Sequence, residues 1–585
     1  MQDLLTRHLR DALAALAPEG FDAGAVEIEY QTPKDPSHGD LATNLAMQLA
    51  RPLSRAPRQI AEALAAYVNA RVADDAALAR QVAGVEVAGP GFLNVRLAAT
   101  GLTDGLRGIL EAGAAFGRTD AGGGRTAIVE YVSANPTGPL TVGHGRNAVL
   151  GDTFANLLTW TGWEVTREYY FNNAGRQMRI LGQSVKARAG ELLNPDGPVK
   201  TLDLGADESA VVPASFPEDG YVGEYIIEIA REVLETRGAA VLDEGDEVFT
   251  AAAEKAIFAD IEATMARLSI RMDSYFNEHT LYENNAVWKV MEDLKAKDLA
   301  FEKDGATWFR TSVLGKVQAD AEGEREVDTV LVKSSGEPTY RLPDIAYHME
   351  KLSRGFSLVL DVFGADHIAT YPDVLRGVEA LGGDTAKIDV VVYQFVTLVR
   401  GGEPFKMSTR KARYVTLDDL MEEVGADVTR FFFLMRSPNT HLEFDLDLAK
   451  EASEKNPVFY LQYAHARIAS ILRKAAETGL TLAPGAEGVD FDLLTHPNET
   501  VLIKELLRFP EVVVEAAEGK APHKVAAYLR EAATAFSAFY RDSRILGEDP
   551  SLGAARLHLA EAARTVLANG LAVLGISAPD RMDRA

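Results

Sequence analysis

Apolar positions recur along this chain with two periods, and the places where one gives way to the other divide it into three parts. At the front, Leu4, Leu5, Leu9, Ala12, Leu13 and Leu16 share one face of a 3.6-residue repeat, which predicts an amphipathic helix. Charges interrupt any continuous apolar core there, so the segment is expected to belong to the folded protein and not to a signal peptide. Alternation in VEIEY (26–30) predicts a strand, a second helix is expected from about Asp40 through Ala50, and a third runs from Pro57 through Val68. VAGVEVAGPGFLNVRLA then alternates again around a Gly89-Pro90-Gly91 turn, placing Phe92 and Asn94 on one strand face and Leu93 and Val95 on the other. Residues 1–117 therefore read as a small α+β module, and TDAGGGR (119–125) as a linker.

From residue 125 the pattern changes to short apolar strands alternating with helices. TAIVEYV is β-branched and continuous, ANPTGP must stop it, and Val149, Leu150, Phe154, Leu157 and Leu158 then recur at helical spacing. EVTREYYF predicts a second strand. The Pro-, Asp- and Gly-rich stretch 190–220 reads as weakly structured, within an insertion of about 185–270 that resumes as helices at 223–237 and 246–268. Strand, turn and helix return at TVLVKSSGEPTYRLPDIAYHMEKL and LVLDVFGADHIATYPDVLRGVEAL, and DVVVYQFVTLV is a further strand leading into GGEPFKMSTRK. Such alternation over 125–414 predicts a Rossmann-like, doubly wound α/β domain with ligands gathered beyond the carboxyl ends of its strands. From 415 to 585 almost only helical periodicity remains, at 417–424, 427–436, 456–474, 501–517, 524–540 and 554–574, predicting an all-α bundle.

Composition narrows the classes. With 585 residues, 47% of them hydrophobic, several cores can be built. The absence of cysteine excludes disulfides, thiolate nucleophiles and cysteine-held zinc, and agrees with a cytoplasmic location. No run of eighteen apolar residues occurs, so no membrane partner is expected. A net charge of −26 argues against nonspecific coating of nucleic acid. It leaves room for a selective RNA substrate held by a few placed contacts, with Arg467, Arg473, Lys474, Lys520, Lys524 and Arg530 as a possible track on the bundle.

The chemistry concentrates in EYVSANPTGPLTVGHGRNAVLGD (130–152). A strand, a glycine-containing turn and a helix place His144 and Asn147 in the first helical turn, where free N–H groups and the helix dipole favour phosphate. GHGRN alone is equally a tight turn. Taken alone, Glu130 reads as a strand-end acid, Asp344 as a first-turn acid after Pro343, Tyr340 as a core residue, and Phe92 with Asn94 as a core aromatic and a turn residue. An aromatic beside an amide is also what reads an unstacked RNA base.

PLTVGHGRN opening a helix and KMSTR following the last strand together resemble the paired motifs of class I aminoacyl-tRNA synthetases. The wider similarity is to the arginyl-tRNA synthetase family and spans nearly the whole chain: HGDLATNLAMQLA, GPGFLNVRL, SANPTGP, YYFNNAGRQ, TYRLPDIAYH, GADH, GADVTRFFFL, FDLDLA and NPVFYLQYAHAR. That resemblance implies an N-terminal module touching the tRNA elbow, a Rossmann catalytic domain with an insertion, and an anticodon-binding bundle. The activity implied is arginine-tRNA ligation, using arginine, ATP with Mg2+, and tRNA(Arg) as partners, by a protein expected to be monomeric. His144, Lys406 and Ser408 would act on the phosphates. Thr141, Gly143, Asn147, Asp366, His367 and Met407 would join His144 and Lys406 in holding ATP. Glu130, Asn135, Tyr340 and Asp344 would hold arginine, and Phe92 and Asn94 a D-loop base. No dedicated protein metal site is expected.

Two positions depart from the family pattern: Thr141 stands for the first histidine of the helix motif and Thr409 for the second lysine of the loop motif, with Gly138 where some members carry a compensating lysine. Arg410 or Lys411 could substitute, and the clamp could be completed only with tRNA bound. The rival readings are a class I synthetase of another specificity and a catalytically silent tRNA-binding paralogue.

Overall fold

The computed structural model describes residues 2–18, 20–31, 33, 35, 38–173, 175–205, 208–320, 323–405, 415–547 and 549–582. Its organising element is a parallel five-stranded sheet whose spatial order is Ile388–Tyr393, Leu358–Gly364, Thr126–Glu130, Glu164–Phe171, Ser274–Asn277. In chain order the strands run outward from Thr126–Glu130 in one direction and then return to its other side. The winding therefore reverses between Thr126–Glu130 and Leu358–Gly364, and a crevice opens at their carboxyl ends.

Helix Val142–Trp160 follows the first strand and is buried on nearly all sides, as its lack of a polar face requires. Phe154 and Leu157 pack into the core that joins the sheet to the C-terminal helices, each worth about 1.5–3 kcal/mol of burial. Two of its glycines are demanded by packing. A side chain at Gly151 would collide with Tyr131, and one at Gly145 with Leu417 and Phe433.

The N-terminal module is a three-stranded antiparallel sheet, Leu41–Thr43, Phe92–Leu97 and Val82–Ala88, backed by Gln2–Leu16 and Pro57–Asp74 around its own core. Residues 26–30, expected as a strand, are not part of one, and Gln31 forms an isolated bridge to Ala42. The helix expected from Asp40 is an edge strand followed by the short helix Leu45–Gln48, because all three residues of 41–43 are buried against Phe92–Leu97.

Other expectations change for the same reason, that pairing and not hydropathy decides a strand's sheet. TVLV forms Thr329–Val332, but in a separate antiparallel sheet with Ala306–Phe309 and Ala300–Lys303. DVVVYQFVTLV divides into Ile388–Tyr393, in the parallel sheet, and Val396–Arg400, which pairs with Leu442–Asp445. The stretch 190–220 contains a hairpin, Val199–Gly205 with Glu208–Pro213. Helices Glu224–Arg237 and Asp246–Arg267 form as expected, whereas the edge strand Ser274–Asn277 has no alternation strong enough to announce it.

The C-terminal helices include Pro457–Glu477, Pro497–Leu507, Phe509–Glu518, Pro522–Asp542 and Pro550–Val573. The single helix expected over 501–517 is interrupted next to Pro510, whose ring cannot continue the preceding turn. Arg430, almost fully buried, ties this bundle to the sheet domain. Its guanidinium donates to Asp152 Oδ2 at 2.6 Å, the Leu574 carbonyl at 3.0 Å and the Leu268 carbonyl at 2.7 Å. Among the described residues no helix is long and apolar enough to cross a membrane.

Candidate active site

The crevice is shaped by a strained turn. Directly after strand Thr126–Glu130, Val132 has φ 66° and Ser133 φ 40°, a left-handed backbone that costs a β-branched residue roughly 1–3 kcal/mol. Asn147, reaching up from the helix, holds the turn in place: its Oδ1 accepts from the Val132 N–H at 2.7 Å and its Nδ2 donates to the Val362 carbonyl at 2.8 Å. The two central strands are thus pinned where they diverge. Asn147, expected at ATP, lines the cavity but has its amide committed to the wall.

The cavity has a volume of about 470 Å3, and its lining includes Glu130, Asn135, His144, Asn147, Tyr340, Asp344, Asp366 and His367. Residues separated by more than two hundred positions in sequence therefore meet in one chamber. Thr141 and Gly143 belong to the turn that opens the helix beside it. Phe92 and Asn94 lie in the N-terminal module, the former half-buried and outside the module's core, the latter 6% exposed. Lys406, Met407 and Ser408, with Thr409, Arg410 and Lys411, lie outside the described residues. The chain on either side is fixed: Phe405 N–H donates to the Leu398 carbonyl at 2.8 Å, and Leu417 N–H to the Leu140 carbonyl at 2.7 Å.

One end of the cavity is acidic over a buried charge network. Lys351, completely buried, donates to Glu130 Oε2 and Asp361 Oδ1, both at 2.6 Å. His348 Nε2 lies 2.9 Å from Asp361 Oδ2 and its Nδ1 2.7 Å from the Asp344 carbonyl. Against the cost of burial, Lys351 and then His348 hold the Asp361 carboxyl far below the usual range. Burial, with Asp361 adding to it, outweighs Lys351 at Glu130 and raises its pKa. Since Ser133 Oγ also donates to Glu130 Oε1 at 2.9 Å, both Glu130 oxygens already have protein partners.

Asp344 is different. Burial pushes its carboxyl up to about 6, with Glu130 adding to the rise and His348, His367 and Lys351 opposing it. A second acid, Glu278, stands near it at the carboxyl end of Ser274–Asn277. It is 5% exposed and its carboxyl is pushed up to about 7 by burial and by Asp344, the Tyr170 hydroxyl partly offsetting them. Among the described residues neither carboxylate forms an ion pair. Glu278 is the functional candidate that sequence patterning misses, because the strand that positions it was not legible as one. Tyr340, 62% exposed, stands at the mouth, and Asn135 donates to Gln177 Oε1 at 3.0 Å.

The other end suits phosphate and a nucleoside. Thr141 caps the helix: its Oγ1 accepts from the His144 N–H, and its own N–H donates to His144 Nδ1, each at 3.2 Å. An Nδ1 that accepts must be unprotonated, so the ring carries its proton on Nε2. Burial lowers the His144 pKa despite the nearby Asp366, keeping the ring a neutral donor. The departure at Thr141 thus has a structural task. A side chain at Gly143 would meet only Thr141 Oγ1, at 3.6 Å, so the fold itself does not require glycine there. Asp366 and His367 are exposed on a short turn after Leu358–Gly364, with the His367 ring stacked 5.1 Å from Phe363. On the bundle, Lys520 and Lys524 pair with Asp389 and Glu515, while Arg467 lies 4.6 Å over the Tyr463 ring.

A reversing parallel sheet, a histidine-bearing helix start at its switch point and a C-terminal helical bundle define a class I aminoacyl-tRNA synthetase. Residues 106–438 match the family model for the class I (R) tRNA synthetase catalytic domain, 3–97 the arginyl tRNA synthetase N-terminal domain, and 461–582 the DALR anticodon binding domain. The chain belongs to the arginyl-tRNA synthetase family. It is 58% identical over 585 residues to the arginine–tRNA ligase of Salinibacter ruber, covering 100% of both chains. To that of Desulfotalea psychrophila it is 47% identical, covering 99% of this chain and 100% of the relative. Its fold is similar to Thermus thermophilus arginyl-tRNA synthetase, with TM-score 0.72 at 24% identity over 100% of both chains. For the Plasmodium falciparum enzyme the TM-score is 0.67 at 16% identity, over 99% of both.

Proposed function

We propose that this chain activates arginine with ATP and transfers it to the terminal adenosine of tRNA(Arg), with Asp344 and Glu278 as the guanidinium partners. The observation that carries this reading is the cavity-lining Asp344 with the buried Glu278 near it, neither ion-paired among the described residues, at one end of a cavity whose other end presents a neutral histidine at a helix N-terminus. A planar guanidinium supplies the missing charge in bidentate form, which an ammonium cannot. Glu130, whose oxygens are taken, would instead hold the floor of the pocket. Asn135 would meet the amino acid's backbone groups, and Tyr340 would border its side chain.

In the first step the arginine carboxylate oxygen bonds to the α-phosphorus of ATP and the bond to pyrophosphate breaks. An already ionised carboxylate requires no general base, so positioning and charge stabilisation suffice. His144 Nε2–H would donate to phosphate oxygens beside the free helix N–H groups and Gly143, with Asp366 and His367 on the adenosine side. Lys406 and Ser408, with Met407, are proposed to complete the triphosphate site. In the second step a terminal ribose hydroxyl attacks the adenylate carbonyl and AMP leaves. Magnesium is proposed to arrive on the ATP phosphates. We propose further that the enzyme is cytoplasmic and monomeric, with modules dividing near 117–125 and 414.

The test is ATP–pyrophosphate exchange and aminoacylation with a panel of amino acids, tRNA being present throughout. Arginine alone should be charged; activation of another amino acid, or of none, overturns the proposal.

A further inference from the structure

Away from the catalytic crevice, at the amino ends of the parallel strands, lies a second cavity of about 200 Å3. Arg125 and Trp163 immediately precede strands Thr126–Glu130 and Glu164–Phe171, Leu358 opens Leu358–Gly364, and all three line the space. Part of the wall is the C-terminal half of helix Val142–Trp160, through the buried Phe154 and Leu157. Another part is Phe509–Glu518 of the bundle, through Val514 and Ala517. Among the described residues none lines both this cavity and the catalytic one.

Size and chemistry restrict what the space can hold. Close-packed interiors seldom leave voids larger than a water molecule, and junctions between domains are where ligand cavities concentrate. Water finds little to bind here: Thr161, which also lines the cavity, donates its hydroxyl to the Leu157 and Leu158 carbonyls, each at 3.0 Å. Charge is limited to Arg125, Glu518 and Lys520. The Arg125 guanidinium lies 4.1 Å over the Trp163 ring, and Lys520 pairs with Asp389. With both signs present no excess attracts an ion, and apolar walls oppose burying one. A cavity of roughly 150 Å3 with aliphatic and aromatic walls takes up benzene. The somewhat larger space here, walled in part by the rings of Phe154 and Trp163, fits one ring or two fused rings.

We infer that this cavity is a binding site for a small, neutral, planar aromatic molecule, seated between the bundle and the sheet domain. Its occupant meets Val514 and Ala517 from the bundle and Phe154 and Leu157 from the helix that begins at His144, and so stabilises the docked arrangement of the two. The site is independent of the ligase reading, since it shares no wall with the catalytic cavity.

The experiment titrates the full chain with indole by calorimetry, with indole-3-carboxylate as the same rings carrying a charge. Indole should bind one to one with a Kd of roughly 0.1–1 mM, within the efficiency open to so small a ligand, and should raise the melting temperature as its concentration rises. Saturating arginine and ATP should leave that affinity unchanged, and indole-3-carboxylate should bind roughly 10-fold more weakly or worse. Ala517→Met and Val514→Met, made separately, place a side chain in the space and should each weaken indole by roughly 10-fold or more, with the ligand-free melting temperature close to wild type. Absence of saturable indole binding up to about 5 mM, well above the expected Kd, overturns the inference. So does displacement by arginine or ATP, equal binding of the carboxylate, or wild-type affinity in a folded methionine variant. The wild-type titrations decide the matter by themselves if neither variant folds.

Discussion

The proposed guanidinium site has a pH signature that follows from its electrostatics. Asp344 is raised to about 6 by burial and by Glu130, and Glu278 to about 7 by burial and by Asp344, with no ion pair of their own among the described residues. Arginine keeps its charge throughout the accessible range, so binding selects the doubly ionised pair and expels whatever proton the empty site holds. Because the two acids share one field they titrate as a pair. At pH 8 both are largely ionised; at pH 5 roughly a tenth of Asp344 and a hundredth of Glu278 would be, if they titrated independently. Log Kd for arginine should therefore be flat above about pH 8, change by about one per pH unit near pH 6.5 and approach a slope of two below pH 6, each decade being about 1.4 kcal/mol. The sign for folding is opposite. Carboxyls raised above their unfolded values bind more protons in the native state, so the free protein loses stability as pH rises through 4–7, and arginine should stabilise it more at pH 8 than at pH 5.5. Calorimetric titration of arginine in buffers of different ionisation heat measures both affinity and protons released. Asp344→Asn should remove one unit of the acid-limb slope and weaken binding at pH 8 by roughly 30–3000-fold, the cost of leaving a buried charge unpaired. A wild-type Kd constant within twofold from pH 5.5 to 8, without proton release, would refute the assignment.

Three further outcomes test other parts of the site. His144 both caps the helix and aims Nε2–H at the cavity: His144→Asn keeps an acceptor for the Thr141 N–H and should lose about 10²–10³ in kcat, whereas His144→Gln should retain more activity with about 1 kcal/mol less stability; equal activity of the two in aminoacylation would separate His144 from the phosphates. Because burial lowers the His144 pKa, its contribution to stability is complete above pH 6.5 and is lost as pH falls toward its folded value. Lys351→Met strands Glu130 and Asp361 and should cost about 3–5 kcal/mol in denaturant unfolding at pH 8 and less at pH 5, where the carboxylates can protonate; a loss below about 1 kcal/mol would contradict the network. Phe92 lies outside the core of its module, so Phe92→Ala should leave the melting temperature unchanged and weaken tRNA binding by about 1–3 kcal/mol if it stacks on a base; unaltered affinity in a binding titration would remove that role.

Much of the molecule is legible from local pattern. The helices at 57–68, 224–237, 246–267 and 522–542, the doubly wound class and the strand–turn–helix carrying His144 depend on periodicity, glycines and a capping residue, all encoded within a few positions. The sheet to which TVLV belongs, the division of DVVVYQFVTLV and the edge strand Ser274–Asn277 were not legible, because a run of apolar residues is the same whichever neighbour it pairs with.

The same limit governs the site. Sequence by itself determined which residue types stand near strand ends, and the family resemblance assigned them expected roles. Only the tertiary structure decided what each has left to offer a ligand: Glu130 is consumed by Lys351 and Ser133, Asn147 by a strained turn and a neighbouring strand, while the half-buried Asp344 and the buried Glu278 have no ion pair among the described residues. A side chain's identity is local, but its desolvation and its partners come from elements hundreds of residues away, and it is those that set its charge and its free hydrogen bonds.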